Sequence, residues 1–373
     1  MSFTRFDLEY TQSVWEQQVD INLTESGVHP IRLDELLADD PAMADKLMRT
    51  ELNYPHVNGI PALRENIAGL YDGAAAKNVL VTVGAAEANN IIMHTLLEPG
   101  DEIATQTPTY KQVWGLALNS GHAVKPFRLL SDSGWALDID EMNAQVNDKT
   151  KIIALVNPNN PTGYIMSDAE MDAVVAAADR VDAWILADEV YRGAERVQEE
   201  ETPSFYARYD KVLAVGSMSK AYGLPGLRIG WVVGPAATVD EIWRRHEYTT
   251  ITATILSNIL AAYATSSNVR PRLLQRTREY IRNGFPMLEK WMDAQDGLFE
   301  YTPPEASAVS FVKYNLDINS TELMEKLIRE ASVFVGAGDS FGMDRHIRIA
   351  FGQDKAVLED AFARIQRTLE SLR

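Results

Sequence analysis

The chain has no cysteine. That excludes disulfide frameworks, thiolate zinc sites and cysteine nucleophiles, and it leaves the redox compartment open. No apolar run approaches the ~18 residues needed to span a bilayer. The first residues, Met-Ser-Phe-Thr-Arg-Phe-Asp-Leu-Glu, carry early charge and lack the apolar stretch of a secretory signal. A soluble, cytoplasmic protein with no membrane partner is the expectation. Positive charge is scarce as well: 35 Lys and Arg stand against 53 Asp and Glu, a formal net charge of −18. Nucleic acid is a poor partner for such a chain, because phosphate backbones require a clustered basic surface. The acidity favours solubility, with attraction of a cationic substrate as the lesser reading. The histidines show no ligand spacing, so no metal site is expected. Internal repeats, low-complexity tracts and Pro/Gly/Ser-rich linkers are also absent.

What is present is a long alternation of short apolar runs with longer amphipathic ones, the pattern of an α/β fold. At 373 residues and 46% apolar content, the chain can bury a sizeable core and divide into two domains. Strands are expected at Val79–Val83, Glu102–Thr105, Lys151–Val156, Ala183–Ala187, Val212–Val215 and Ile229–Val233. Their continuous apolarity fits a mostly parallel sheet covered on both faces by helices. Ser167-Asp168-Ala169-Glu170 reads as a capping box, and Met171, Val174, Val175 and Ala178 follow on one helical face. The strand–helix–strand unit so formed should cross over right-handed. The C-terminal part differs. A long helix begins near Arg270, strand-like runs fall at Ala308–Tyr314 and His346–Ala350, and Leu358, Phe362, Ile365, Leu369 and Leu372 form an apolar stripe. These features predict a large domain over 46–265, a smaller α+β domain over 266–373, and an N-terminal segment, 1–45, packing on the smaller one.

In open α/β sheets ligands sit at the carboxyl ends of strands. Three such ends carry polar groups. Asn157-Pro158-Asn159-Asn160-Pro161-Thr162-Gly163 follows the third strand, its prolines fixing an irregular loop in place of a helix start. Asp188-Glu189-Val190-Tyr191 follows the fourth, where a carboxylate leaving an apolar run requires a cationic or hydrogen-bonding partner. Gly216-Ser217-Met218-Ser219-Lys220 follows the fifth and leads to Arg228. A lysine desolvated at a sheet edge tends toward the neutral, nucleophilic amine, and two serines with an arginine suit a phosphate dianion. Each feature alone reads as an ordinary turn, cap or surface ion pair; their joint occurrence does not.

Together these segments resemble the fold-type I pyridoxal-phosphate (PLP) dependent aminotransferases of class I/II, the aspartate aminotransferase-like superfamily. The family patterns N-P-x-N-P-T-G, D-x-x-Y and S-x-S-K-x-x-x-x-x-G-x-R-x-G occur here in that order at Asn157–Gly163, Asp188–Tyr191 and Ser217–Gly230. Tyr54 to Arg64 resembles Y-x-x-x-x-G-x-x-x-L-R, and Thr82 to Ala88 resembles the family's phosphate-cradling turn. Pro99-Gly100-Asp101, Pro108-Thr109-Tyr110 and Ile347-Arg348-Ile349 extend the match over roughly residues 50 to 352.

The resemblance implies a homodimer that moves an amino group between an L-amino acid and a 2-oxo acid. It implies that Lys220 holds PLP as a Schiff base and shuttles the substrate proton. Asp188 would pair with the ring nitrogen, Tyr191 and Asn160 would bond the ring oxygen, and Tyr110 would stack on the ring. Ser217, Ser219, Arg228 and the amides of Ala85 and Ala86 would hold the phosphate, with Tyr54 reaching it from the neighbouring subunit. Arg348 would grip the substrate carboxylate, beside Asn160 and Gly27.

Departures leave alternatives. Where many relatives carry G-x-P, this chain has Gly27-Val28-His29-Pro30. His29 is expected to cap a turn, with substrate contact as the other reading. The Ser26–His29 run resembles capreomycidine-synthase-like members, which act on arginine-derived substrates by replacement and cyclisation, and β-elimination shares the same early chemistry. Gly336-Ala337-Gly338-Asp339-Ser340-Phe341 lacks the third glycine of a dinucleotide loop and reads as a turn before the Arg348 strand. Ser217–Lys220 also satisfies the S-x-x-K pattern of serine hydrolases, but the S-D-N and K-T-G elements of that class are missing. A PLP-binding transcription regulator would require a DNA-binding domain, and only about 50 residues, acidic in balance, precede the Tyr54 motif.

Overall fold

Fourteen strands are present in the computed structural model, which describes residues 3–372. In chain order they are β1 (Ile21–Asn22), β2 (Val79–Thr82), β3 (Glu102–Thr107), β4 (Ala123–Leu130), β5 (Ala136–Leu137), β6 (Thr150–Val156) and β7 (Trp184–Asp188). They continue as β8 (Val212–Ser217), β9 (Gly230–Val233), β10 (Phe299–Tyr301), β11 (Val309–Tyr314), β12 (Val333–Phe334), β13 (Gly336–Ala337) and β14 (His346–Ala350).

Eight of them form the large sheet, in the order β2-β9-β8-β7-β6-β3-β4-β5. The central run from β8 to β4 is parallel, while β9 is antiparallel to both β2 and β8. The chain is therefore α/β with a mostly parallel sheet flanked by helices. The continuous apolar runs have a simple cause. Ile152, Leu186 and Leu213 enter the core on one face, while Ile153, Ile185 and Val212 enter it on the other. Both faces must be covered, so alternation disappears. Shortening Ile152, which has no exposed surface, to alanine should cost ~2–5 kcal/mol, measurable as a lower denaturation midpoint.

The helix Asp168–Arg180 returns the chain from β6 to β7, and its start is the capping box: Glu170 N donates to Ser167 Oγ at 3.3 Å, and Ser167 N donates to Glu170 Oε2 at 2.7 Å. One long strand, β4, escapes the pattern read from the sequence. It contains Lys125, Pro126 and Arg128, yet only its last two residues pair with β5. A proline costs little where one side of the strand is nearly an edge. The final helix ends at Glu370, so Leu372 lies beyond the helix, yet it packs against the same core as Leu358, Phe362, Ile365 and Leu369.

The second sheet, β10-β11-β14-β13, is antiparallel throughout and carries Arg348 on β14. Gly336 pairs with Arg348, so the Gly336–Phe341 stretch is a short strand and a 3-10 turn beside that arginine. Near the other end of the sequence, β1 pairs in parallel with β12. This links residues 21–22 to the C-terminal elements. Among the described residues no helix is long and apolar enough to cross a membrane.

Candidate active site

Register decides which side chains meet. Val156 is opposite Asp188, and Asp188 is opposite Val215, so the tips of β6, β7 and β8 are immediate neighbours. Because β9 runs back against β8, with Ser217 opposite Gly230, Arg228 returns to the same sheet end as Lys220. These tips floor a cavity of about 330 Å³. Asp188 is the last residue of its strand, one position inside the sheet compared with the expectation from sequence.

The Asp188 carboxylate is buried, and burial pushes its pKa up to about 6, partly offset by Asn89, the Val190 amide and the charge of Lys220. Asn89 Nδ2 donates to Asp188 Oδ2 at 3.3 Å, and the Val190 amide donates to Oδ1 at 3.3 Å. The next residue, Glu189, points the other way. It accepts from Ser204 and the Phe205 amide and serves the fold. Lys220 lines the cavity with about a quarter of its side chain exposed, its Nζ 3.8 Å from Glu25.

A compact donor set stands beside the lysine. Ser217 Oγ donates to Ser219 Oγ at 3.0 Å, and Arg228 Nη1 donates to Ser219 Oγ at 3.4 Å. Ala85 and Ala86 open the 13-residue helix Gly84–Leu96 on the facing wall. A helix start presents free amides and partial positive charge. The approach is close enough to demand glycine: a Cβ on Gly84, where φ is +77°, would lie 2.5 Å from Arg228 Nη2, and one on Gly230 would lie 2.4 Å from the Ala85 amide. This cradle could hold a phosphate. Gly84→Ala should weaken PLP retention about tenfold or more, since such strain costs ~1–3 kcal/mol. Titration of the cofactor-free protein checks this, and an unchanged Kd would locate the cradle elsewhere.

The opposite wall comes from the second sheet. Arg348 is only 1% exposed, and its fork donates to Asn160 Oδ1 at 2.8 Å and to the Thr24 carbonyl at 2.6 Å. Its Nε has no partner among the described residues. The Tyr191 hydroxyl donates to Ser26 Oγ at 2.8 Å, and a Cβ on Gly27 would lie 3.1 Å from the Ser219 carbonyl. Tyr110 donates to Glu9 at 2.7 Å, and its ring lies on the cavity wall.

One cavity thus collects Lys220, Asp188, Tyr191, Asn160, Tyr110, Ser217, Ser219, Arg228, Arg348, Ala85 and Ala86. Gly27 packs against its lysine. Tyr54 is not brought in by the single chain and stands 80% exposed. His29 lies outside the cavity, its amide bonded to the Gly352 carbonyl, its ring nitrogen paired with Gln353 and its ring stacked on Tyr280; these contacts are long-range, not the turn cap expected. Sequence reasoning missed Asn89 and the helix Asp7–Trp15, which adds Leu8, Glu9, Gln12 and Ser13 to the wall. Asn89 was accessible in principle, lying one helical turn beyond Ala85; the N-terminal helix carries no motif.

The donor set fits a phosphorylated pyridine aldehyde. A glycine-lined phosphate cradle, a buried carboxylate in need of a cation, and an amine occupy one cavity. Such a donor set suits an enzyme that carries a phosphorylated cofactor. The sequence matches the family Aminotransferase class I and II over residues 35–365, and the chain belongs to that family. It is a PLP-dependent transferase. Capreomycidine synthase of Streptomyces vinaceus is 30% identical over 363 residues, covering 94% of this chain and 90% of that one. The arginine–pyruvate transaminase of Pseudomonas aeruginosa is 28% identical, covering 87% and 84%. A PLP-dependent aminotransferase from Streptococcus suis superposes with a TM-score of 0.94 at 30% identity, covering 100% of this chain and 99% of that chain.

Proposed function

We propose that this protein transfers an amino group between an L-amino acid and a 2-oxo acid. The observation that carries the reading is the convergence of Lys220, Asp188 and Arg348 on one cavity from two different sheets. When bound, PLP supplies an electron sink for a carbanion at the substrate Cα. The chain's own residues do the rest. Lys220 would hold the cofactor, and its Nζ, once free, would take the proton from the substrate Cα and give it back as a general acid. Asp188 would pair with the ring nitrogen and favour its protonated form. Tyr191 and Asn160 would donate to the ring oxygen. Ser217, Ser219, Arg228 and the Ala85 and Ala86 amides would hold the phosphate, and Tyr110 would cover the ring.

Arg348 fixes the α-carboxylate through a bidentate fork, orienting Cα toward Lys220, with Asn160 and the bare backbone of Gly27 beside it. We place Tyr54 at the phosphate of a second subunit in a homodimer. Its exposure, with that of Met48, Leu52 and Tyr248, supports this, because large apolar side chains in numbers mark contact surfaces.

A second reading is replacement with cyclisation, favoured by the 30% identity to capreomycidine synthase over 94% of the chain. Incubating the holoenzyme with amino acids and pyruvate or 2-oxoglutarate separates the two. Transamination yields the matching 2-oxo acid and a new amino acid in equal amounts. A cyclised product, or ammonia with no new amino acid, rejects it.

A further inference from the structure

After the cofactor's partners are set aside, the charges left on the cavity wall do not balance. On the reading above, on which this inference rests, Asp188, Lys220 and Arg228 serve the cofactor. Arg348 remains on one side, against Glu9, Glu16 and Glu25 on the other. Glu9 and Glu16 are seven residues apart on the helix Asp7–Trp15 and its cap, with Gln12 and Ser13 between them on the same face. Glu25 reaches in from the segment before Gly27, its carboxylate 3.8 Å from Lys220 Nζ. With Lys220 assigned to the cofactor, Glu25 would be left free of that partner.

Arg348 is an independent pointer to the ligand. It is nearly fully buried and lines the same cavity, its fork held in place by Asn160 and the Thr24 carbonyl and its Nε without a partner among the described residues. We propose that the amino donor is an α-amino acid with a cationic side chain, its carboxylate on Arg348 and its side-chain cation among Glu9, Glu16 and Glu25. A dicarboxylate donor would set its second anion against three carboxylates. Among the described lining residues no cation is left to meet it. Lys111, beside Tyr110, lies within the influence of Asp7 and Asp339 and is not part of the wall. A neutral side chain would leave the three acids on the wall, of which Glu9 is exposed and Glu25 half-exposed, with no added counter-charge. Burial, then Glu25 and Glu9, already hold the Glu16 carboxyl above its usual range, a repulsion that a cation relieves.

The test uses the holoenzyme titrated with L-arginine, L-lysine, L-alanine and L-aspartate. Binding is followed by the visible absorbance and turnover by initial rate with pyruvate. L-arginine or L-lysine should bind at least tenfold tighter than L-alanine, with L-aspartate weakest. Glu9→Gln, Glu16→Gln and Glu25→Gln should each lower the kcat/KM ratio of the cationic donor to alanine, and the triple variant should lower it at least tenfold. Equal or better use of alanine or aspartate overturns the proposal. So does an unmoved ratio in variants with a native melting curve, the single variants deciding if the triple fails to fold. Absorbance that responds equally to all four sinks this inference alone; absorbance that responds to none sinks the proposed function with it.

Discussion

Lys220→Ala should yield a folded protein that retains no covalently held cofactor and has lost turnover. The expected fall is at least ~10⁴-fold, because the variant lacks both the amine that forms the Schiff base and the group that moves the Cα proton, a role worth ~10²–10⁴ alone. Stability should change by no more than ~1 kcal/mol, since the side chain is partly exposed and its one ion pair, with Glu25, is itself half-exposed. Borohydride reduction followed by peptide mass analysis reads the result directly. In the parent chain the reduced adduct falls on Lys220, and in the variant no adduct forms. An adduct on another lysine would overturn the whole site.

Asp188→Asn should bind PLP yet turn over ~10²–10⁴-fold more slowly, as removing one partner of a buried charge pair costs ~3–5 kcal/mol. Its pH behaviour is a separate signature. Burial raises this carboxyl from 3.8 to about 6 in the cofactor-free fold. The stability it contributes is complete below pH 3.8 and is lost as pH rises through 6, because the folded chain holds a proton that the unfolded chain has released. The loss is about 3 kcal/mol, as an order of magnitude. Denaturant unfolding of the cofactor-free proteins at pH 4 and pH 8 should therefore show the Asn variant gaining on the parent at the higher pH. A gain at the lower pH would mean that the carboxylate is stabilised in the fold, against the burial argument.

How much of this could be read from the sequence follows from the range of each signal. The central strands were legible because burial on both faces makes them continuously apolar, and the gathering of Asp188, Lys220 and Arg228 at one end of the sheet was legible because each follows or borders a strand end. The strand β4 was not, since Pro126 and two basic residues mask it and its tolerance depends on its place in the sheet. Nor were Glu9 and Glu16. A helix with a weakly apolar face does not announce what it covers, and only the tertiary fold brings it over the cavity. Asn89 shows the intermediate case, with a helical position foreseeable from Gly84 but a bond to Asp188 that depends on how the helix meets β7.

The stretch from Ile21 to Gly27 behaves as a gauge strap. One end is stitched to β12, the Thr24 carbonyl takes Arg348, Ser26 takes Tyr191, and Gly27 abuts the Lys220 backbone. The gap between the arginine on one sheet and the lysine on the other is thus measured out by seven consecutive residues that belong to neither. Inserting or deleting a single residue there would reset the reach of the site while both sheets kept their strands, so variation in the size of substrate accepted can arise in this strap with no change to the catalytic groups.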